Sequence, residues 1–183
     1  MKPDDPIKGL KAKVHRSERT GLVQRIYTIT DEFKGMDLLA VAKAFLRKYA
    51  VDLGLDPRLK GLVYEQVKKS MLGNHVMFQQ FVDGKPVSGG WLRVDIADDG
   101  RLLGVHNNAV PQQRIERARP VRRPITAKAA STIAAHGISA GSIRTEAERV
   151  FWPVDGEPRD AWKVIVESDR PNGVWRVYVD AAD

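Results

Sequence analysis

HVMFQQFVDGKPVSGGWLRVDIADDGRLLGVHNNAVP, residues 75–111, holds three runs of β character, His75 to Val82, Val87 to Ala97 and Arg101 to Ala109. The turn signals Asp83-Gly84 and Asp98-Asp99-Gly100 separate them. Asp-Gly adopts the positive φ that a two-residue hairpin turn requires, so the runs read as consecutive hairpins. In the middle run Leu92, Val94 and Ile96 alternate with Trp91, Arg93 and Asp95, one set for each face of a strand. A sheet with one covered face and one wet face follows. Upstream, Leu62 to Met71 reads as a further strand, with its turn at Gly73-Asn74.

The cover for that sheet precedes it. Between Met36 and Ala50, Leu38, Val41, Ala42, Phe45 and Tyr49 recur at helical spacing, with Lys43, Arg47 and Lys48 opposite. Asp37 is the expected N-cap, and Met36 and Val41 occupy the positions of a hydrophobic staple. A second helix is expected from Thr126 to about His136, capped by Thr126, with Ala129, Ala130, Ile133 and Ala134 on its apolar face and Gly137 at its end. Strands then return at Thr145 to Val154, Ala161 to Glu167 and Val174 to Asp180, with turns at Asp155-Gly156 and Pro171-Asn172-Gly173. Trp162, Val164 and Val166, then Trp175, Val177 and Val179, form their apolar faces.

The halves also echo one another in sequence. Val82-Asp83-Gly84-Lys85-Pro86 returns as Val154-Asp155-Gly156-Glu157-Pro158, 72 residues later. This predicts an α+β protein of two related units, each one helix packed on an antiparallel β-meander. The expected organisation is a partly irregular N-terminal segment over 1–35, a first unit over 36–111, a Pro- and Arg-rich linker over 112–124 and a second unit over 125–183. The linker has no apolar periodicity, so proteolysis is expected to begin between Gln112 and Arg123.

The 183 residues are 43% hydrophobic, enough for a packed core, and mean hydropathy is -0.35. No apolar run reaches membrane-spanning length, and MKPDDPIKGL at the start lacks the apolar stretch of a signal peptide. Without cysteine there is no disulfide, thiolate metal site or cysteine nucleophile. The net charge of +7 gathers in segments read as irregular, notably 111–124 with five arginines and one acid. Basic residues interleaved with aromatics, as a base-stacking surface needs, do not occur, so nucleic acid is not an expected partner.

Catalytic constellations are missing from the sequence as well. A zinc peptidase needs two histidines one helical turn apart with a glutamate between them, and no H-E-x-x-H occurs. His15, His75, His106 and His136 stand far apart in the chain and read as ordinary hydrogen-bonded residues. Gly84 to Gly90, GKPVSGG, has its lysine directly after the first glycine and a strand behind it, which is a turn rather than a phosphate loop. The expectation is a protein that is not an enzyme and needs no cofactor or metal.

Residues 75–111 resemble the propeptide motif of fungalysin- and thermolysin-type metalloproteases, the FTP motif. The matching positions are His75, Phe78 and Gln80, Gly84 with Pro86-Val87, Gly89-Gly90, and the strand ending at Gly100. The second unit is similar to a PepSY domain through its Thr126-started helix, Val150-Phe151-Trp152-Pro153-Val154, Ala161-Trp162-Lys163-Val164 and Val174 to Ala181. The resemblance implies two cystatin-like units, turn roles for Gly84, Pro86 and Gly100, and framework roles for Phe78, Gln80, Trp162 and Trp175. It also implies the function: folding assistance to, and temporary inhibition of, a thermolysin-like zinc metalloprotease domain, in cis or in trans, in a secreted or extracytoplasmic setting. Family members continue beyond the equivalent of Asp183 into a junction and the protease. The alternative is a stand-alone protein-binding or inhibitor module with no linked protease. Neither reading involves a membrane. Trp91, Arg93 and Trp152 are the candidate interface residues, because aromatic and arginine side chains anchor interfaces.

Overall fold

The computed structural model describes residues 6–18, 20–30, 33–138 and 143–182. Residues 1–5 of the charged start and Asp183 at the end lie outside them. The protein is α+β, mostly strand with few helices, and divides into two compact units, residues 1–81 with 89–113 and residues 82–88 with 114–183.

The first unit contains β1 (Lys13–Arg16), β2 (Val23–Tyr27), helix α1 (Leu38–Lys48), a single helical turn α2 (Ala50–Leu53), β3 (Leu62–Ser70), β6 (Leu102–Asn107) and, apart from residues 82–88, β4 (Gly73–Val82) and β5 (Lys85–Ile96). Asp37 caps α1 as expected, accepting a hydrogen bond from the Ala40 N–H at 2.9 Å. Met36 does not complete the staple. It is 81% exposed, whereas Val41 is buried. The helix buries Val41, Ala42, Phe45 and Leu46, and Phe45 meets Phe33 edge-on with ring centroids 5.1 Å apart. Against this face stand Leu92, Val94 and Ile96 of β5, each fully buried, so the alternation in the sequence reports the burial of the sheet.

β1 and β2 lie in the N-terminal segment, which the sequence marks only as partly irregular. They pair antiparallel, and β2 continues the sheet by pairing with β6, Ile26 opposite Val105. Val14, Val23 and Ile26 are buried in the same core as α1. The first turn falls at Met71-Leu72 rather than Gly73-Asn74, since Ser70 already pairs with Gly73. Gly100 has φ +81°, and a Cβ there would collide with the Gly35 backbone, which hydrogen-bonds to the Gly100 carbonyl at 3.2 Å. Glycine is therefore required twice over, by conformation and by space.

The second unit is built on α4 (Ala127–Gly137), β7 (Ile143–Val154), β8 (Glu157–Asp169) and β9 (Asn172–Asp180), and β8 pairs antiparallel with both neighbours. Val87 forms a parallel bridge to Phe151, which makes the sheet mixed. Thr126 caps α4 through the Ala129 N–H at 3.1 Å. The helix runs through Gly137, and Ile138 takes the cap position expected of that glycine. Its buried stripe is Ala130 and Ala134, set on Val164, Val166 and Val179, whereas Ile133 faces solvent at 47% exposure. The repeated Val-Asp-Gly motif makes the same device twice: φ is 45° and 75° at Asp83-Gly84 and 50° and 82° at Asp155-Gly156. Both are turns with two left-handed residues, as the strand twist favours.

Residues 112–124 have more anchoring than their composition indicates. They open with a short helix, α3 (Gln112–Ile115), and Ala118 is buried. Arg114 donates to the Asp155 carbonyl at 3.2 Å, and the Val121 N–H donates to Asp160 at 2.8 Å. Gln113, Glu116, Arg117, Arg119 and Pro120 are exposed along the segment, and Arg122, Arg123 and Pro124 form its longest exposed run. Trypsin is therefore expected to cut first after Arg122, because proline follows Arg119 and Arg123 and Ala118 is buried after Arg117. Mass spectrometry of early fragments checks this, and first cuts within β5 would contradict it.

Candidate functional site

The outward face of the first unit's sheet concentrates its chemistry. Strand pairing sets His15 opposite Arg25, Arg25 opposite His106, and His106 opposite Arg93, so four basic side chains form one row across β1, β2, β6 and β5. The row behind it, Val14, Ile26, Val105 and Val94, is buried in the core. In the next row on the outward side Gly104 contributes no side chain between Tyr27 and Asp95.

Asp95 is a hub. Its carboxylate lies 2.6 Å from His75 Nδ1, 3.5 Å from His106 Nε2 and 2.9 Å from Arg93 Nε. The Arg93 Nε contact lacks hydrogen-bond geometry, leaving that atom buried without a hydrogen bond; the guanidinium donates instead from its terminal nitrogen at 3.3 Å. Ser70 lies 2.7 Å from His75 Nε2. His106 is held below the ordinary histidine range, first by burial and then by the Arg93 charge, with Asp95 opposing and Arg25 and His75 adding to the depression. The sequence reading treated the histidines as isolated. Two of them converge on Asp95 because β4 and β6, which carry His75 and His106, flank the β5 strand that carries Asp95.

Of the framework positions, Phe78, Gln80 and Gly100 lie in the first unit, and Gly84, Pro86, Trp162 and Trp175 in the second. Phe78 is buried, packed edge-on against Tyr64 with centroids 6.3 Å apart. Gln80 is buried and clasps the Val110 backbone, donating to its carbonyl and accepting from its N–H, each at 2.9 Å. Trp91 is half-buried and lines a hollow with Gln24, Arg25 and His106. Gly84 forms the Asp83-Gly84 turn, and Pro86 is half-buried one residue before the parallel bridge at Val87.

Residues 61–109 match the Fungalysin/Thermolysin Propeptide Motif. The propeptide motif therefore takes in β3 to β6, including Phe78, Gln80, Gly84, Pro86, Trp91, Arg93 and Gly100. Among solved structures the chain is similar to the Bacillus megaterium YpeB C-terminal domain, with a TM-score of 0.42 and 14% identity, covering 97% of this chain and 75% of that one. No curated protein sequence matches it.

Outside the propeptide motif, Trp152 is 36% exposed and stacks on Tyr178, with centroids 4.6 Å apart and planes 8° from parallel. The Tyr178 hydroxyl in turn meets the Ser88 hydroxyl at 2.5 Å. Trp162 donates from its indole N–H to the Ile125 carbonyl at 3.1 Å and carries Arg149 on its ring. Trp175 is half-buried against Gly173, beside rather than within the α4 cluster. The chain carries a propeptide motif, and no catalytic domain is evident in its 183 residues. Among the described residues, no group of three or more His, Asp or Glu is placed to hold a metal ion, and no helix is long and apolar enough to cross a membrane.

Proposed function

We propose that the chain is a propeptide-type module that assists the folding of a thermolysin-like zinc metalloprotease and holds it inactive until removed. The observation that carries this reading is the match of residues 61–109 to the Fungalysin/Thermolysin Propeptide Motif. In this reading residues 125–183 act as a PepSY-like companion, the two units are related cystatin-like folds, and the setting is secreted or extracytoplasmic. The protease domain is the partner, supplied in cis or in trans.

The mechanism requires no reactive group. A module that binds the native protease and not its unfolded chain stabilises the native state by mass action, and one that also fits the folding transition state accelerates folding. Inhibition follows if the same contact excludes substrate from the cleft. Trp91, Arg93 and Trp152 are proposed contacts, each part-exposed and each held in place by neighbours: Trp91 in its hollow, Arg93 by Asp95, Trp152 by Tyr178. Titrated against a matched mature protease, the chain should lower the peptidase rate dose-dependently, and the inhibition should fade as the chain is digested. Added during dilution from denaturant, it should raise the recovered activity of the catalytic domain. No effect on either quantity at tens of micromolar, where even weak specific interfaces are occupied, would replace this reading with that of a stand-alone binding module.

A further inference from the structure

From the cross-strand row we infer an oxyanion-binding site on the first unit, with Arg25 and His106 as its centre and His15 and Tyr27 at its side. The register of β1, β2 and β6 places His15, Arg25 and His106 directly opposite one another, and Arg93 completes the row. Protonated His106 stands directly opposite both Arg25 and Arg93, and like charges directly opposite across strands are destabilising, so a counter-charge here would relieve the row. Asp95 serves Arg93 and His75 at close range and His106 at 3.5 Å. No carboxylate or hydrogen-bond partner engages the Arg25 or His15 side chain among the described residues.

Space is present where the charge is unbalanced. Arg25 and His106 line two hollows at once, one of about 430 Å³ bounded by His15, Ile26 and Tyr27, the other of about 210 Å³ bounded by Gln24, Trp91, Asn107 and Asn108. A guanidinium offers paired donors matched to the oxygens of a carboxylate or phosphate, and an imidazole N–H beside it adds a third. Burial first, and then the Arg93 charge, lower the affinity of His106 for protons, with Asp95 opposing and Arg25 adding to the effect; a bound anion would raise it. Free phosphate and the carboxylates of an acidic protein segment offer this site the same chemistry. The site stands on the geometry of the first unit and is independent of the propeptide reading.

The test uses the whole chain at constant ionic strength near neutral pH, titrated by calorimetry with inorganic phosphate and separately with a capped oligoglutamate peptide, while NMR follows the His106 ring. Expected are one phosphate per chain, an upward move of the His106 pKa on binding, and at least a tenfold loss of affinity in Arg25→Gln. Lys60→Gln, an exposed change elsewhere on this unit, should bind as the parent does. Phosphate should displace the peptide from the same site. Tighter binding of the peptide would identify protein carboxylates as the source of the oxyanion, and tighter binding of phosphate the free ion. Equal affinity in Arg25→Gln and parent, a His106 ring that does not respond, or binding of many ions in proportion to total charge would overturn the site. If Arg25→Gln unfolds, His15→Gln should still weaken binding severalfold in a folded chain, and unchanged affinity there would overturn it equally.

Discussion

Asp160→Ala is expected to destabilise the second unit by about 3–5 kcal/mol, the range for breaking a buried ion pair by removing one partner. The Asp160 side chain has no solvent exposure. Its carboxylate accepts from Arg149 Nε at 3.0 Å and from a terminal Arg149 nitrogen at 2.6 Å, a two-pronged contact. It also accepts the Val121 N–H at 2.8 Å and lies 3.9 Å from Lys85 Nζ. Removing it strands the Arg149 guanidinium, held over the Trp162 ring with 16% of its side chain exposed, and leaves the Val121 N–H without its acceptor. The neutral Asp160→Asn should fall between parent and alanine. Arg149→Met combined with Asp160→Leu should recover much of the loss, because it removes the desolvated charges together. Urea unfolding followed by tryptophan fluorescence measures all three, and a loss under about 1 kcal/mol for alanine would show that water replaces the carboxylate cheaply.

That carboxylate also marks where the sequence stops being readable. Asp83-Gly84 and Asp155-Gly156 declare their turns because few residue pairs tolerate two successive positive φ values. Asp37 and Thr126 declare helix starts because a short oxygen-bearing side chain can reach a free N–H one turn on. Signals of this kind are local. Asp160 carries no local signal: nothing within a few residues distinguishes it from a solvated strand acid, and its partner Arg149 lies across a hairpin. The convergence of His75 and His106 on Asp95 depends likewise on register between strands, where a slip of one residue would turn each side chain to the other face. β1 and β2 escaped notice for a related reason. With four and five residues they are too short for alternation to stand out, and their place in the sheet is fixed by pairing with β6, far along the chain. Ala118 shows the same limit in 112–124, where a small buried residue between charged neighbours leaves no periodic pattern.

Asn107→Leu is expected to cost about 2–4 kcal/mol, because it leaves buried backbone groups unpaired while keeping the branched outline and heavy-atom count of the side chain. Asn107 ends β6 inside the propeptide motif and is 8% exposed. Its amide nitrogen donates to the Val23 carbonyl at 2.8 Å and to the Leu53 carbonyl at 2.9 Å, while its oxygen accepts the Ala109 N–H at 3.0 Å. One side chain thus ties β2, the last residue of α2 and the end of β6 together. Leucine supplies none of these bonds, and the carbonyls and N–H that it leaves are largely shielded from water. Asn107→Asp separates hydrogen bonding from packing. A carboxylate retains the acceptor for Ala109 but points a second oxygen at two carbonyls, so the ionised form should be at least as unstable as leucine. Protonation restores one donor. The introduced acid should therefore have a folded pKa above its unfolded value near 3.9, its neutral form favoured below that value and the penalty growing as pH rises through the folded pKa. Chemical denaturation across pH 3.5 to 7 should show Asn107→Asp losing stability relative to the parent as pH rises, while the Asn107→Leu deficit stays level. If the two deficits run parallel across that range, repulsion at the Val23 and Leu53 carbonyls is not what asparagine relieves, and Asn107 acts through packing alone.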